Sequence, residues 1–480
     1  MPTLLLRAGL VYTGTGPPSP VSAGRAQGAF SNRRDGVGGD GVLQSGWLLA
    51  RDGMIAEVGS GDPPAADAVL NLPNCLAVPG LVNAHDHMYQ WATRGYVPDG
   101  GLFEWLRALY PVWAQIDAGT VRIAARAAMA RLLLSGCTLS TDHHYVFPRG
   151  RAGIFEALVE SARELGLRFH PCRGSMSLGE SAGGLPPDSV VEKEDAILAD
   201  TESLIRRFHD PAPGSMCRLV VAPCSPFSVT PQLMRDSAEL ARRHGVRLHT
   251  HLAETLDEER FCAERFGKRP FELMSDLGWT GDDVWFAHGI HFNDVEVRQV
   301  AETRTGVAHC PSSNMRLGAG ACRVEDLLRA GANVGLGVDG AASNEDSNLA
   351  TEMHQTLLLA RARAAMQGRE DAATAISARE AWKVATVGGA ACLGRDDCGT
   401  LAVGKCADVA FFRLDDLGHA GMDDPVAALA LAPPARADAV VVNGKVVVRD
   451  GRLLTGDEAA IARDLASESK RLASRARVRP

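Results

Sequence analysis

The chain reads as an α/β protein: a (β/α)8 TIM barrel with a small β-sandwich domain built from both chain termini. Three observations predict this. Strand-like and helix-like runs alternate through residues 76–395. Polar signatures recur at the C-terminal ends of the strand-like runs, on the face where such barrels place their chemistry. Hairpin signals stand near both ends of the chain. A length of 480 residues exceeds one ordinary domain and suits a large barrel plus a smaller unit.

Residues 1–75 are expected to form the first part of the small β domain. Within them, 14–44 is rich in Gly, Pro, Ser and Arg without periodicity, as expected for a flexible surface insertion. Residues 45–59 place apolar runs on both sides of Asp52-Gly53, a hairpin signal. The barrel, residues 76–395, is expected to use strands at Leu76–Ala84, Thr138–Asp142, Arg168–Cys172, Arg218–Ala222, Val246–His251, Val284–Ala287, Val307–His309 and Asn333–Val338. Between them Ile154, Leu158, Ala162 and Leu165 share one helical face, as do Met234, Ala238 and Ala241. An open doubly wound sheet would want a Gly-rich phosphate loop after an early strand, and no convincing one is found. Residues 396–455 complete the β domain, with Val440-Val441-Val442 facing Val446-Val447-Val448 across Asn443-Gly444. Residues 456–480 read as a helix with Ile461, Leu465 and Leu472 on one stripe.

A hydrophobic fraction of 46% and a charged fraction of 22% describe a globular chain. The net charge of -8 argues against nucleic acid as the main partner. No apolar run reaches membrane-spanning length, and the N-terminus lacks the layout of a signal peptide. Eleven scattered cysteines without a C-x-x-C pair suit reduced thiols in a cytoplasmic protein, not a disulfide framework.

The segment Asn83-Ala84-His85-Asp86-His87 puts two imidazoles at i and i+2, on one face of a strand. Such a pair occurs by chance. It gains weight from His251 in LHTHLAE, His288 in VWFAHG and Asp339 in VGLGVDG, each on a later strand-like run. His85, His87, His251 and Asp339 offer three imidazoles and a carboxylate, a set suited to Zn2+ and, second, to Fe2+. A lysine bridging two metals would be wanted on strand 4, and Arg218–Cys224 contains none, so one divalent ion per chain is expected. Such an ion lowers the pKa of a bound water to about 7. Glu254, three residues after His251, is placed to shuttle protons without ligating. His288 would hydrogen-bond the water or ligate directly.

A single His at a strand end is more often structural than functional; the four groups together reverse that balance. His249 shares the parity of His251 one layer deeper and reads as a satisfied core residue. His143 and His144 stay undecided. Cys310, in His309-Cys310-Pro311-Ser312-Ser313-Asn314, reads as part of a structural turn, with no base arranged for its thiol.

With these residues in this order, the chain resembles the amidohydrolase superfamily, in the metal-dependent branch that deaminates nucleobases and related heterocycles. PGLVNAHDH, LHTHLAET, AHGIH, AHCPSSN and GVDGAASN carry the resemblance, which spans nearly the whole chain. Within the branch it is most similar to 8-oxoguanine deaminases, through LFEWLRALYPVW, TDHHYVFP, RGSMSLGESAGGLPPDSVV and APCSPFSVTP. Hydroxyatrazine-type ethylaminohydrolases are closely similar, and isoxanthopterin deaminases more distant. The resemblance implies substrate contacts from Gln90, Trp113, Arg173 and Cys224. Gln90 follows His87 as in guanine deaminases, but their Arg-Phe pair after strand 4 is replaced by Ser225-Pro226-Phe227. Arg173 matches a substrate-binding Arg of nucleoside deaminases. Their diol-binding Glu and base-binding His are matched by Trp113 and Cys224. An indole cannot accept hydrogen bonds from a diol but can stack on a flat ring, so a free base is favoured over a nucleoside.

The expected reaction is therefore hydrolytic deamination of an oxidised purine base, 8-oxoguanine to urate and ammonia. Asp339 takes the proton from water, Glu254 protonates the ring nitrogen and His288 stabilises the tetrahedral centre. The expected partners are a small heterocyclic base and water, with a homo-oligomer allowed. Release of an alkylamine from a hydroxylated triazine, or of ammonia from a pterin or guanine-like base, is the alternative. A non-catalytic binding relative would have lost ligands or acid–base groups, and here all are present.

Overall fold

The computed structural model describes residues 2–15 and 41–477. Most of the expected 14–44 insertion lies outside the described residues. Its far end does not: Val42–Gln44 is a short strand.

The β domain draws on both ends of the chain. Its strands are β1 (Thr3–Tyr12), β2 (Val42–Gln44), β3 (Gly46–Arg51), β4 (Met54–Ser60) and β5 (Ala68–Pro79). The barrel follows as β6 (Leu81–Asn83), β7 (Cys137–His144), β8 (Arg168–Ser175), β9 (Val220–Pro223), β10 (Arg247–Leu252), β11 (Val284–His288), β12 (Gly306–His309) and β13 (Asn333–Leu336). The chain then returns to the β domain through β14 (Val409–Arg413), β15 (Ala439–Val442), β16 (Lys445–Arg449) and β17 (Arg452–Leu453).

The domain is a mixed nine-stranded sheet ordered β17-β16-β15-β14-β5-β1-β3-β4, with β2 beside β1. It closes over an apolar core that includes Leu6, Leu48, Ile55, Ala77, Phe411 and Val441. Both predicted hairpins form, β3–β4 and β15–β16. Asp52-Gly53 and Asn443-Gly444 take positive φ at both turn positions, as two-residue hairpin loops require.

The eight parallel strands β6 to β13 close into a barrel. The expected first barrel strand, Leu76–Ala84, is corrected. Leu76 and Ala77 pair with β1, and the run as far as Pro79 pairs with β14. The barrel strand begins only at Leu81, after Gly80. Pro79 brings no N–H to a ladder, and a Cβ on Gly80 would lie 2.1 Å from Thr138 Oγ1. The apolar pattern runs on because both halves are buried. β6 closes on β13 through one registered pair, and Val338 N–H donates to Asn83 Oδ1 at 2.9 Å. That side chain extends the seam beside the site. The terminal helix, Glu458–Ala476, buries Ile461 and Leu472 and packs on the helix Ala118–Leu134. No helix among the described residues is long and apolar enough to cross a membrane.

Candidate metal centre and active site

Four side chains from three strand ends converge, and their outer hydrogen bonds fix their tautomers. His87 Nδ1–H donates to His143 O at 2.7 Å, and His251 Nδ1–H donates to Cys224 O at 2.6 Å. Each Nε2 is then a lone pair. His249 Nδ1–H donates to Trp285 O at 2.9 Å, so its Nε2 must accept from His85 Nδ1–H at 2.8 Å. His85 Nε2 is thus a lone pair too, and it is buried without a hydrogen-bond partner.

These three nitrogens meet at one place. His87 Nε2 and His251 Nε2 are 3.0 Å apart, and Asp339 Oδ1 lies 3.3 Å from both His85 Nε2 and His87 Nε2. Burial holds His85 and His87 below the ordinary histidine range and pushes His251 down to about 3, so the rings are neutral. Three lone pairs and a carboxylate cannot face one another stably without a cation. The donor set fits a divalent metal, each imidazole being oriented through its other nitrogen.

Glu254 and His288 stand beside this point. His288 Nε2 is 3.6 Å from Glu254 Oε2, and His288 Nδ1–H donates to Asn314 Oδ1 at 2.9 Å. Ligand atoms of His85, His288 and Asp339 lie within 4.8 Å of one another. Burial pushes the Glu254 carboxyl up to about 7. Ala253, His288 and Asp339 take φ of 53°, 75° and 58°. Non-glycine residues rarely adopt that region, and such strain gathers at functional sites.

The neighbouring cavity is lined by polar groups from His87, Gln90, Cys224, Ser225, Glu254, His288, Asp339 and Ser343. Its apolar wall comes from Trp105, Tyr110, Phe227 and Leu317, among others. No Arg or Lys is among the described lining residues. Gln90 Oε1 accepts from Ala342 N–H at 3.3 Å, and Trp105 Nε1–H donates to Ala342 O at 3.2 Å. A Cβ on Gly340 would come within 1.9 Å of Gln90 Oε1, so glycine is needed there.

Two expected substrate contacts are not brought to this cavity. Trp113 is buried outside it, donating to Thr93 Oγ1 at 3.1 Å and packing on Tyr89. On its helix, Leu102–Trp113, the cavity-facing stripe is Leu102, Trp105, Leu106 and Tyr110. Arg173 ion-pairs with Glu192 and Asp200, both at 2.8 Å, and covers the Phe147 ring. On β8 the barrel-facing parity belongs to Arg168, His170 and Cys172, which turns Arg173 outward. Cys224 lines the cavity and also holds His251 through its carbonyl.

His143 Nε2–H donates to Ala222 O at 2.8 Å and its ring stacks on His251, while His144 contacts Val146 O at 2.9 Å. Other supports were missed in the sequence. The helix Pro311–Arg316 occupies the segment read as a turn. From it Ser313 Oγ–H donates to Asp339 Oδ2 at 2.6 Å, and Asn314 holds His288. Glu258 accepts from Ala253 N–H at 3.0 Å and Glu254 N–H at 2.9 Å, fixing the loop that carries Glu254. The position of Ser313 and Asn314 just past a barrel strand was a usable signal. Cys310 is buried, with its thiol pushed far up by burial, and is no nucleophile.

The barrel, the convergent imidazoles, which could hold a metal, and the strand-end acid are the frame of a hydrolase. The chain belongs to the amidohydrolase family, whose model matches residues 76–447, and is a hydrolase acting on carbon–nitrogen bonds. It is 49% identical to the 8-oxoguanine deaminase of Pseudomonas aeruginosa over 84% of this chain and 90% of that one. It is 38% identical to the hydroxydechloroatrazine ethylaminohydrolase of Pseudomonas sp. strain ADP over 85% and 87%. The structure of atrazine chlorohydrolase TrzN from Arthrobacter aurescens TC1 complexed with zinc superposes with a TM-score of 0.87. That match has 30% identity and covers 97% of this chain and all (100%) of that one.

Proposed function

We propose that the chain is a mononuclear hydrolytic deaminase of an oxidised purine base, converting 8-oxoguanine to urate and ammonia. The observation that carries the chemistry is the convergence of three imidazole lone pairs and Asp339 beside Glu254 and His288. His85, His87, His251 and Asp339 would hold one Zn2+, with Fe2+ second. A divalent ion there supplies Lewis-acid activation of water. Asp339, steadied by Ser313, takes a proton from the attacking water and returns it to the exocyclic amine, which leaves as ammonia when the C–N bond breaks. Glu254 delivers a proton to the ring nitrogen of the base, a role suited to a carboxyl titrating near 7. His288, held by Asn314 through Nδ1–H, turns Nε2 toward the oxygen of the tetrahedral carbon and stabilises it when Nε2 also carries a proton.

Three features support the substrate. The cavity wall of Trp105, Tyr110 and Phe227 suits a flat ring. No Arg or Lys is among the described lining residues, which suits a neutral base and not a phosphorylated one. Ser225 stands where guanine deaminases carry Arg, so the N7 donor of 8-oxoguanine meets no opposing donor. The 49% identity to an 8-oxoguanine deaminase points the same way. The 38% identity to an ethylaminohydrolase favours a hydroxylated triazine as the second reading.

The test is steady-state kinetics on 8-oxoguanine, guanine, isoxanthopterin and hydroxyatrazine, detecting ammonia and alkylamine, with metal analysis of the same sample. One metal per chain and selective ammonia release from 8-oxoguanine are expected, and His85→Ala should lose both. Activity that tracks two ions per chain would sink the mononuclear reading. Selective ethylamine release would transfer the assignment to triazines.

A further inference from the structure

The end of the barrel opposite the metal centre carries an arginine-rich pit. Arg168 on β8, Arg218 just before β9 and Arg247 on β10 share the barrel-facing parity of Cys172, Val220 and His249. Arg395 reaches in from the loop after the helical turn Gly389–Cys392. A cavity of about 240 Å³ opens beside Arg218 and Arg247, lined also by His170, His209, Leu393 and Gly394.

Charge at this end is unevenly matched. Arg168 is clamped by Asp408 at 2.8 and 3.0 Å, and Arg395 by Asp397 at 2.7 and 2.9 Å. Nearby Asp282 and Asp283 pair with Arg304 and Arg242. Arg218 and Arg247 have no carboxylate partner among the described residues. Arg218 donates to Ser215 Oγ and to the carbonyls of Gly394, Pro211 and Ala212. Arg247 donates through Nε to Cys392 O and through Nη2 to Ala391 O and Asp282 O, which leaves its Nη1 unused.

His170 supplies an independent sign. It is 1% exposed, and its Nε2 accepts from Arg395 Nη1 at 3.3 Å. The proton must then sit on Nδ1, and that buried N–H has no acceptor. A buried donor left unpaired calls for an explanation. Burial first, and then the four neighbouring arginines, hold this ring below the ordinary histidine range.

We propose that this pit is a binding site for a small tetrahedral oxyanion, inorganic phosphate or the head of a phosphomonoester, held by Arg218, Arg247 and the His170 Nδ1–H. Two guanidinium groups and a neutral N–H donor match the acceptor-only surface of such an anion. The site is separate from the deaminase cavity and its occupancy does not depend on the substrate assigned above.

The test is calorimetric titration of the metal-loaded full chain with inorganic phosphate, and separately with glycerol phosphate, at constant ionic strength. Crystals soaked in selenate locate the anion by its anomalous signal. Saturable binding of one anion per chain is expected, with the selenate peak beside Arg247. Arg247→Met and Arg218→Gln should each weaken binding tenfold or more and leave kcat/KM on the base unchanged. Stronger binding of glycerol phosphate would identify a phosphomonoester, and equal binding the free anion. No saturable heat at tens of millimolar, a selenate peak only at the metal centre, or unchanged affinity in a folded variant would overturn the proposal. Should either variant fail to fold, the wild-type titration and the selenate peak decide.

Discussion

Glu254→Gln separates proton transfer from everything else in the site. Glutamine keeps the shape of a side chain that is 4% exposed, and it can still accept the approach of His288 Nε2, now 3.6 Å from Glu254 Oε2. What it loses is the capacity to carry a proton, in a carboxyl that burial has raised to about 7. General acid–base help contributes ~10²–10⁴-fold, and each tenfold is about 1.4 kcal/mol of barrier. The variant should therefore lose at least about a hundredfold in kcat, or ~2.7 kcal/mol. Metal content should not change, because the convergence of His85, His87, His251 and Asp339 excludes Glu254. Ammonia release under saturating base and metal analysis of the same preparation measure both. A kcat within a few-fold of wild type, or loss of the metal, would refute the role given to Glu254.

Ser313→Ala removes the 2.6 Å bond to Asp339 Oδ2 and should lower kcat about tenfold, the scale of one hydrogen bond to a charged group, with metal retained; unchanged kcat would show that Asp339 needs no such support. Trp105→Ala should raise KM for the base about tenfold by removing a wall of the cavity, whereas Arg173→Met should leave KM within a few-fold. The reverse pattern would restore the contacts expected from sequence. Glu258 is pushed up to about 8, chiefly by burial, from the ordinary 4.5. A raised carboxyl favours folding below its unfolded value and loses that advantage as pH rises toward 8, a span worth up to about 5 kcal/mol. Thermal stability should fall from pH 5 to 9, and Glu258→Gln should flatten that dependence; an identical slope in the variant would contradict it.

The barrel was legible because its strands are buried on both faces and end in polar signatures such as His85-Asp86-His87 and Asp339. The boundary at Pro79-Gly80 was not, because Leu76 to Val82 is apolar in both of the sheets it serves. The His and Asp convergence could be read from strand parity together with strand-end placement. Side chains on helices and outward-facing positions could not. Trp113 and Trp105 differ by two turns of one helix, and only packing against Tyr89 shows which of them leaves the cavity. Arg173 matches the residue type of a substrate contact, but β8 turns it outward onto Glu192 and Asp200. Ser313 and Asn314 act through other groups and are marked only by their place just past a barrel strand, and Glu258 is marked by no local pattern.

The most direct test of the account is the ratio of kcat/KM for 8-oxoguanine and guanine on protein loaded with one metal ion. Ser225 in place of an Arg, and no Arg or Lys among the described lining residues, predict discrimination of about 10⁴-fold in favour of 8-oxoguanine, the scale reached by sites built on hydrogen-bond identity. Equal efficiency on the two bases would contradict it.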